Sequence, residues 1–227
     1  MALDEVLAQC AIEPVLRLYR WTPATLSLGY FQRYEDRRSH EPSLHCPAVR
    51  RTSGGGAIVH DRELTYSLVI PGDKLTPRDA RGLYASVHAT LVLALQQLGV
   101  DATQHASVSA PATESEPFLC FRRRAVGDVV LAGHKIAGSA QRRWRGVVLE
   151  HGSILLAASP AAPELPGIND LTSRSIDETA LRNAWLAALS ARLNLHWRPD
   201  ALTADEREQA AGRAAEKFAQ NSWTLRH

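Results

Sequence analysis

Three consecutive glycines, Gly54 to Gly56, stand inside the segment RRTSGGGAIVHD, which runs from Arg50 to Asp61. The surrounding residues predict one strand that ends at Arg51 and a second strand that starts at Ala57. A Walker A loop and a Rossmann dinucleotide loop both lead from a strand into a helix. A glycine loop between two strands therefore excludes both of these nucleotide-binding motifs.

The glycines alone allow two interpretations. Backbone without Cβ atoms can adopt positive φ angles, and its N–H groups can then face a bound ligand. In this interpretation Arg50 and Arg51 supply forked donors to phosphate or carboxyl oxygens. In the other interpretation the glycines form a sharp turn or bulge, and the two arginines lie on the protein surface.

Alternating apolar residues predict strands on both sides of this loop. VLRLYRW and ATLSLGYF are predicted to be adjacent strands because only Thr22-Pro23 separates them. AIVHD and LTYSLVIP continue the strand pattern after the glycines. VGDVVLA, HKIAGSAQRRW and GVVLEHGSILL, with tight turns at Gly133 and at Arg145-Gly146, predict an antiparallel meander.

Helices are predicted before and after these strands. Apolar residues at helical spacing occur in residues 3–10, in 84–98 before Gly99, and in 181–193, and Thr203 with Glu206 forms a capping box. The small, polar segment 102–118 is predicted to be a mobile loop, and 177–220 a helical C-terminal part. Together the patterns predict one α+β domain over residues 1–227, a mostly antiparallel sheet with packed helices.

Composition and charge limit the classes of function that the chain can have. Charged residues make up 22% of the chain and the net charge is +2, which gives no general reason to expect nucleic-acid or membrane binding. No apolar run reaches the ~18 residues of a membrane span, and the acidic opening MALDE is unlike a signal peptide, so we expect a cytoplasmic protein. Cys10, Cys46 and Cys120 lie far apart, and no metal site is predicted.

Four segments carry a family resemblance: MALDE, LSLGYFQ, RRTSGGGAIVHDRELTYS and GHKIAGSAQRRWRGVVLEHGSILL. In order and spacing they resemble the lipoate-protein ligases and octanoyltransferases, whose fold is shared with biotin protein ligases. The resemblance implies that the glycine loop and the lysine of the K-I-x-G-x-A motif enclose an acyl chain and its reactive head. The implied catalytic residues are Cys120 and Lys135. The residues expected to bind substrate are Arg50, Arg51, Ser53, Gly54, Gly55, Gly56, His60, Gly138, Ala140, His151 and Gly152.

The position of the thiol favours one reaction of this family. One class of transferase has its cysteine after the lysine motif, and this chain has no cysteine after Cys120. Cys120-Phe121 precedes Lys135, as in the ligase-like octanoyltransferases. The resemblance thus implies transfer of octanoate from acyl carrier protein, through a cysteine thioester, to a lysine of a lipoyl domain such as the glycine-cleavage H protein, without a cofactor.

General chemistry agrees with a cysteine nucleophile. A thiolate exchanges readily with a thioester, a nearby cation such as Lys135 lowers the pKa of a thiol, and an ammonium group stabilises an oxyanion. Two alternatives stay open. In an ATP-dependent lipoate-protein ligase, which uses ATP and Mg, Arg50 and Arg51 would hold the adenylate phosphate and Cys120 would be incidental. In a non-catalytic acyl-binding relative, only the pocket would be kept.

Several of these residues also have purely structural interpretations. An isolated cysteine is most often a small buried apolar residue, which is the interpretation we give to Cys10, on the apolar face of its helix, and to Cys46. His60 either acts as a base or holds a turn. His151 either lines the acyl pocket or caps a sheet edge.

Overall fold

The computed structural model describes residues 1–74, 77–107, 117–144, 146–172 and 174–226, which form two β-sheets with packed helices. The strands are β1 (Val15–Tyr19), β2 (Thr25–Leu28), β3 (Ala48–Arg50), β4 (Ile58–His60), β5 (Glu63–Ile70), β6 (Thr103–Gln104), β7 (Val129–Leu131), β8 (His134–Trp144) and β9 (Val147–Leu155). The larger sheet has the order β1-β5-β9-β8-β7-β6, and all its pairings are antiparallel. The smaller sheet has the order β3-β2-β4 and contains one parallel pair, β2 with β3. The predicted mostly antiparallel α+β fold is confirmed.

The helices are α1 (Ala2–Cys10), α2 (Pro77–Gln97), α3 (Ile168–Leu171), α4 (Glu178–Leu193), α5 (Ala204–Arg213) and α6 (Asn221–Thr224). Gly99, just beyond the end of α2, has φ +78°, which is the left-handed conformation expected of a helix-ending glycine. Thr203 and Glu206 form the predicted capping box of α5. Among the described residues, no helix combines the length and the apolarity that a membrane crossing requires.

Strand β5 lies at the centre of the fold and is buried at all its positions. Its residues Leu64, Tyr66 and Leu68 belong to the main apolar core, which includes buried residues of α2 and α4. Because successive side chains of a strand point to opposite faces, Glu63, Thr65 and Ser67 face the other side of the sheet. That side carries α1 and, as shown below, the functional cavity.

One prediction about the pairing of the strands needs correction. The segments on either side of Thr22-Pro23 are not adjacent strands, because β1 pairs with β5 in the larger sheet whereas β2 pairs with β3 and β4 in the smaller one. Alternation shows that a segment is a strand but does not identify its neighbour. The predicted meander is confirmed, since β7, β8 and β9 pair in succession.

The predicted mobile loop, residues 102–118, is ordered at both ends. Thr103 and Gln104 form β6 and pair with β7. The carbonyl oxygen of Phe118 accepts a hydrogen bond from the N–H of Ala57, at 2.9 Å. The loop prediction is therefore wrong for these ends, because their backbone groups are paired with strand residues far away in sequence. Residues 108–116 lie outside the described part of the chain.

Candidate active site

The glycine loop is joined to the segment that carries Cys120. A parallel bridge links Ala57 to Leu119: the Ala57 N–H donates to the Phe118 carbonyl at 2.9 Å, and the Cys120 N–H donates to the Ala57 carbonyl at 2.8 Å. A Cβ atom at Gly56 would lie only 3.0 Å from the backbone N of Cys120. A glycine at this position therefore lets the cysteine segment pack directly against the loop.

Lys135 lies beside the Cys120 thiol. Its Nζ is 3.9 Å from the Cys120 Sγ and 2.9 Å from Asp128 Oδ2. Asp128 is fully buried, and its carboxylate also accepts hydrogen bonds from the Tyr84 hydroxyl at 2.5 Å and the Ala125 N–H at 2.6 Å. A carboxylate held by these donors fixes the lysine amine at a defined point next to the sulfur.

Asp128 was not among the residues selected from the sequence. It immediately precedes β7, and the turn at Gly133 brings β7 back against the start of β8, where Val130 lies opposite Lys135. A β-bulge between Val129 and Val130 shifts the strand register at this point. The hairpin prediction was sufficient to bring an aspartate and a lysine into the same region, and a search for an opposite charge across the turn would have found the pair.

A cavity of about 350 Å³ opens next to Cys120, between the glycine loop and the larger sheet. Its wall contains the aromatic rings of Tyr19 and Trp21, the Ile58 side chain and backbone of the glycine loop. The predicted site residues that line it are Cys120, Arg51, Gly54, Gly55, His60, Gly138, Ala140, His151 and Gly152. The structure therefore gathers residues from distant parts of the chain around one mostly apolar space.

Arg50 does not line this cavity. It is fully buried, and its guanidinium donates hydrogen bonds to backbone carbonyls. These carbonyls belong to Gly29, Tyr30, Gln32, Trp223, Thr224 and Arg226. The prediction that Arg50 binds substrate is wrong, because its donors tie the chain before the glycine loop to the C-terminal segment.

Arg51 lines the cavity, but its side chain mainly shapes the loop. It is buried, and it donates to the carbonyl oxygens of Ser27 at 2.9 Å, Gly54 at 2.9 Å and Gly56 at 2.6 Å. Burial lowers the pKa of Arg51 to about 10, so the side chain stays cationic at neutral pH. The alternative of two surface arginines is also wrong, since both are buried.

Ser53 and Gly56 are buried and do not line the cavity. The Ser53 hydroxyl is hydrogen-bonded to Nε2 of His151, and His151 does line the cavity. His151 belongs to β9, which lies between β5 and β8, so the alternative that it caps a sheet edge is wrong. Ser53 thus acts on the cavity through the orientation of a histidine.

His60 forms part of a buried polar group at the cavity wall. Its ring stacks on Trp21 with a centroid distance of 4.5 Å, and its Nδ1 lies 2.5 Å from Glu63 Oε1. Thr65 also donates to Glu63 and accepts from the Trp21 Nε1 at 3.1 Å. His60 therefore holds the turn between β4 and β5 and also lines the cavity, whereas its role as a base stays a prediction.

A second network of polar side chains connects Glu150 to the backbone next to Asp128, the partner of Lys135. Glu150 is fully buried and accepts hydrogen bonds from Gln141 Nε2 at 2.8 Å and from the Ser139 hydroxyl at 3.0 Å. Ser139 also contacts His88 Nε2 at 3.1 Å, and His88 Nδ1 donates to the carbonyl of Gly127 at 2.7 Å. The network ends at the backbone next to Asp128. Sequence reasoning missed these residues because each stands alone in a strand or helix pattern.

The other two cysteines lie apart from this site. Cys46 is buried in the apolar cluster that includes Leu26 and Leu119, as its structural interpretation required. Cys10 is exposed at the last residue of α1, so its predicted place on an apolar face is wrong. The buried residues of α1 are Asp4, Val6 and Leu7.

Two histidines, the fully buried His88 and the partly buried His151, predict a loss of stability in acid. Burial lowers the pKa of His88 and of His151 to about 4, below the ordinary value of 6.5. The unfolded chain therefore takes up protons before the folded chain does, and stability is lost as the pH falls from about 6.5 towards 4. We expect each histidine to remove about 2 kcal/mol of unfolding free energy between pH 7 and pH 5.

Denaturant unfolding at the two pH values measures this effect. The variant His88→Gln should start less stable at pH 7 but lose about 2 kcal/mol less than the wild type on acidification. Equal losses in the variant and the wild type would show that His88 is not held neutral in the folded protein.

Comparisons with known proteins agree with this site. The model of the lipoyl protein ligase A/B catalytic domain matches residues 1–175. Octanoyltransferase LipM of Geobacillus kaustophilus is 31% identical, and that of Kyrpidia tusciae is 34% identical; each alignment covers 100% of this chain and 93% of the relative. A T. acidophilum protein solved with bound lipoic acid superimposes with a TM-score of 0.79 at 22% identity, over 99% of this chain and 91% of its own. The predicted fold, family and acyltransferase class are confirmed. The chain belongs to the family of lipoyl protein ligase A/B catalytic domains, and the two relatives named above, both matched over the whole chain, are octanoyltransferases.

Proposed function

We propose that this octanoyltransferase takes octanoate from octanoyl-acyl carrier protein onto Cys120 and then passes it to a lysine of a lipoyl domain, such as the glycine-cleavage H protein. One observation carries the proposal: the Cys120 sulfur lies at the wall of a mostly apolar cavity and 3.9 Å from the amine of Lys135. A nucleophile with a cation beside it therefore borders a space that can hold an acyl tail.

The first half-reaction exchanges one thioester for another. The Cys120 thiolate attacks the carbonyl carbon of the donor, a carbon–sulfur bond to Cys120 forms, and the bond to the donor sulfur breaks. The donor thiolate leaves and takes up a proton. In this proposal the Lys135 ammonium, which is paired with Asp128, stabilises the oxyanion that forms between these steps.

The second half-reaction forms the amide. The neutral amine of the acceptor lysine attacks the octanoyl-Cys120 thioester, and Cys120 leaves as a thiolate while the amine loses a proton. Because a thioester is already activated, this route requires no ATP. Cavity residues such as Tyr19, Trp21 and Ile58 provide apolar contacts for the octanoyl chain. A cytoplasmic location, where the donor is made, is part of the same proposal.

The hydrogen bonds of Arg50 and Arg51 give less support to the ATP-dependent ligase than to the transferase. In that alternative Arg50 and Arg51 would bind an adenylate phosphate. In the structure Arg50 donates to six backbone carbonyls in distant parts of the chain. Arg51 donates to the carbonyls of Gly54 and Gly56 in the loop and of Ser27 in β2. Binding a phosphate through these groups would break the bonds that hold the glycine loop.

Mass spectrometry of the intact protein tests the proposal. After incubation with octanoyl-acyl carrier protein and no ATP, we expect the mass to increase by one octanoyl group, and neutral hydroxylamine to remove it. Addition of a lipoyl-domain protein should then discharge the adduct onto the acceptor. If no adduct forms and transfer requires ATP, the protein is a ligase. If neither condition gives transfer, the acyl-binding alternative is correct.

A further inference from the structure

A second cavity, of about 630 Å³, is lined in part by residues of the turn that carries Cys120 and by the residues next to it. Gly55 lines both cavities. Cys120 lines the first, whereas its chain neighbours Leu119, Arg122 and Arg123 line the second. The glycine loop and the turn Cys120–Arg122 therefore contribute residues to both cavities.

A thioester donor needs space on both sides of its carbonyl carbon. When that carbon is in reach of the Cys120 sulfur, the acyl chain fills the first cavity, and the leaving thiol with everything attached to it must extend elsewhere. The second cavity shares the lining residue Gly55 with the first, and its other lining residues include Leu119, next to Cys120 in the chain. In biological thioesters of fatty acids the leaving thiol belongs to phosphopantetheine, whose arm contains two amides and ends in a phosphate.

We propose that the second cavity binds the phosphopantetheine arm of the acyl donor, and that Arg122 and Arg123 bind its phosphate. The proposal rests on the proposed function, because it identifies how the thioester donor of that reaction is held. The arm is the same in acyl carrier protein and in coenzyme A, so both sources share this chemistry.

The lining of the second cavity suits such an arm. Polar groups line it, including Gln32, Ser39 and His40, in contrast to the mostly apolar first cavity. Arg122 is exposed at the end of the Cys120–Arg122 turn. Arg123 is half-buried, and its Nε donates to the Pro117 carbonyl at 2.7 Å, which orients the guanidinium.

Charge also favours an anion here. Arginine forks match phosphate oxygens in geometry, and two neighbouring arginines outweigh the one carboxylate of the lining, Asp36. The Asp36 carboxylate accepts a hydrogen bond from the backbone N–H of Arg33 at 3.2 Å. His40, the other titratable group of the lining, is bonded through Nε2 to Glu164 at 2.8 Å.

Donors with and without the phosphate test this proposal, and one pair of them differs only in that group. The rate of Cys120 acylation is measured as kcat/KM with octanoyl-pantetheine, octanoyl-phosphopantetheine, octanoyl-coenzyme A and octanoyl-acyl carrier protein. We expect the wild type to prefer octanoyl-phosphopantetheine over octanoyl-pantetheine about tenfold. Arg122→Ala and Arg123→Ala should lose this preference, because kcat/KM falls more with octanoyl-phosphopantetheine than with octanoyl-pantetheine.

Arg124→Ala is the matched control, because Arg124 is the next exposed arginine of the chain and lines neither cavity. It should keep the preference. No preference in the wild type, or an equal loss with both small donors in Arg122→Ala, would overturn the proposal. The higher kcat/KM of the two large donors identifies the source of the arm.

Direct binding separates this proposal from the proposed function. Calorimetry of phosphopantetheine binding to the Cys120→Ala protein requires no chemistry, and Arg122→Ala in that background should weaken binding about tenfold. If no donor acylates Cys120 but this binding is observed, the reaction is wrong and the arm site stands. If acylation proceeds but neither binding nor rate depends on the phosphate, the arm site is wrong and the reaction stands.

Discussion

Replacing Cys120 by alanine is expected to abolish the octanoyl adduct and to lower transfer to the acceptor lysine by about 1,000-fold or more. The effect should be this large because, among the described residues, Cys120 contributes the one thiol at the cavity wall. Its neighbours Leu119 and Phe121 are buried and anchor the segment, so removal of the sulfur should leave the fold intact. Intact mass and the rate of acceptor octanoylation measure the two effects.

Cys10→Ala and Cys46→Ala are the matched controls for this experiment. Cys10 is exposed at the end of α1, and Cys46 packs in a separate apolar cluster. Both variants should form the adduct at the wild-type rate, although Cys46→Ala should lose some stability because it leaves a small cavity. An adduct that persists in Cys120→Ala would show that another side chain is the nucleophile.

The sequence was a good guide to the fold where neighbouring residues determine the structure. The meander of β7, β8 and β9 followed from alternation and from glycines at the turns. The end of α2 at Gly99 followed from local backbone preference. The pairing of β1 with β5, and of β2 with β3 and β4, did not follow, because it depends on contacts between segments far apart in sequence.

Only part of the site was predicted, because some of its contacts also join segments that are far apart in sequence. The family motifs identified the glycine loop, Lys135 and Cys120, and the structure brings these groups together. The same motifs suggested that Arg50 binds substrate, yet its partners are backbone carbonyls at both ends of the chain, which no local pattern predicts. Asp128 was missed because a buried charge is recognised by its partner, and that partner lies across a hairpin.

Replacing Lys135 by methionine is expected to lower octanoyl transfer about 100- to 1,000-fold, because the cation that would stabilise the oxyanion is removed. The change also leaves the buried Asp128 carboxylate without its charged partner, 2.9 Å away in the wild type. Breaking a buried ion pair on one side costs about 3 to 5 kcal/mol. Lost transfer and lost stability would therefore occur together and must be separated.

The double variant Lys135→Met with Asp128→Asn separates them. Asparagine can still accept a hydrogen bond from the Tyr84 hydroxyl but carries no charge, so most of the lost unfolding free energy should return. Transfer should stay as low as in Lys135→Met alone, since no cation faces the thioester carbonyl. Denaturant unfolding and the rate of acceptor octanoylation measure the two quantities. If the double variant regained transfer along with stability, the lysine would serve only to neutralise Asp128, and the stabilisation of the oxyanion would have to come from another group, such as the backbone N–H groups of the glycine loop.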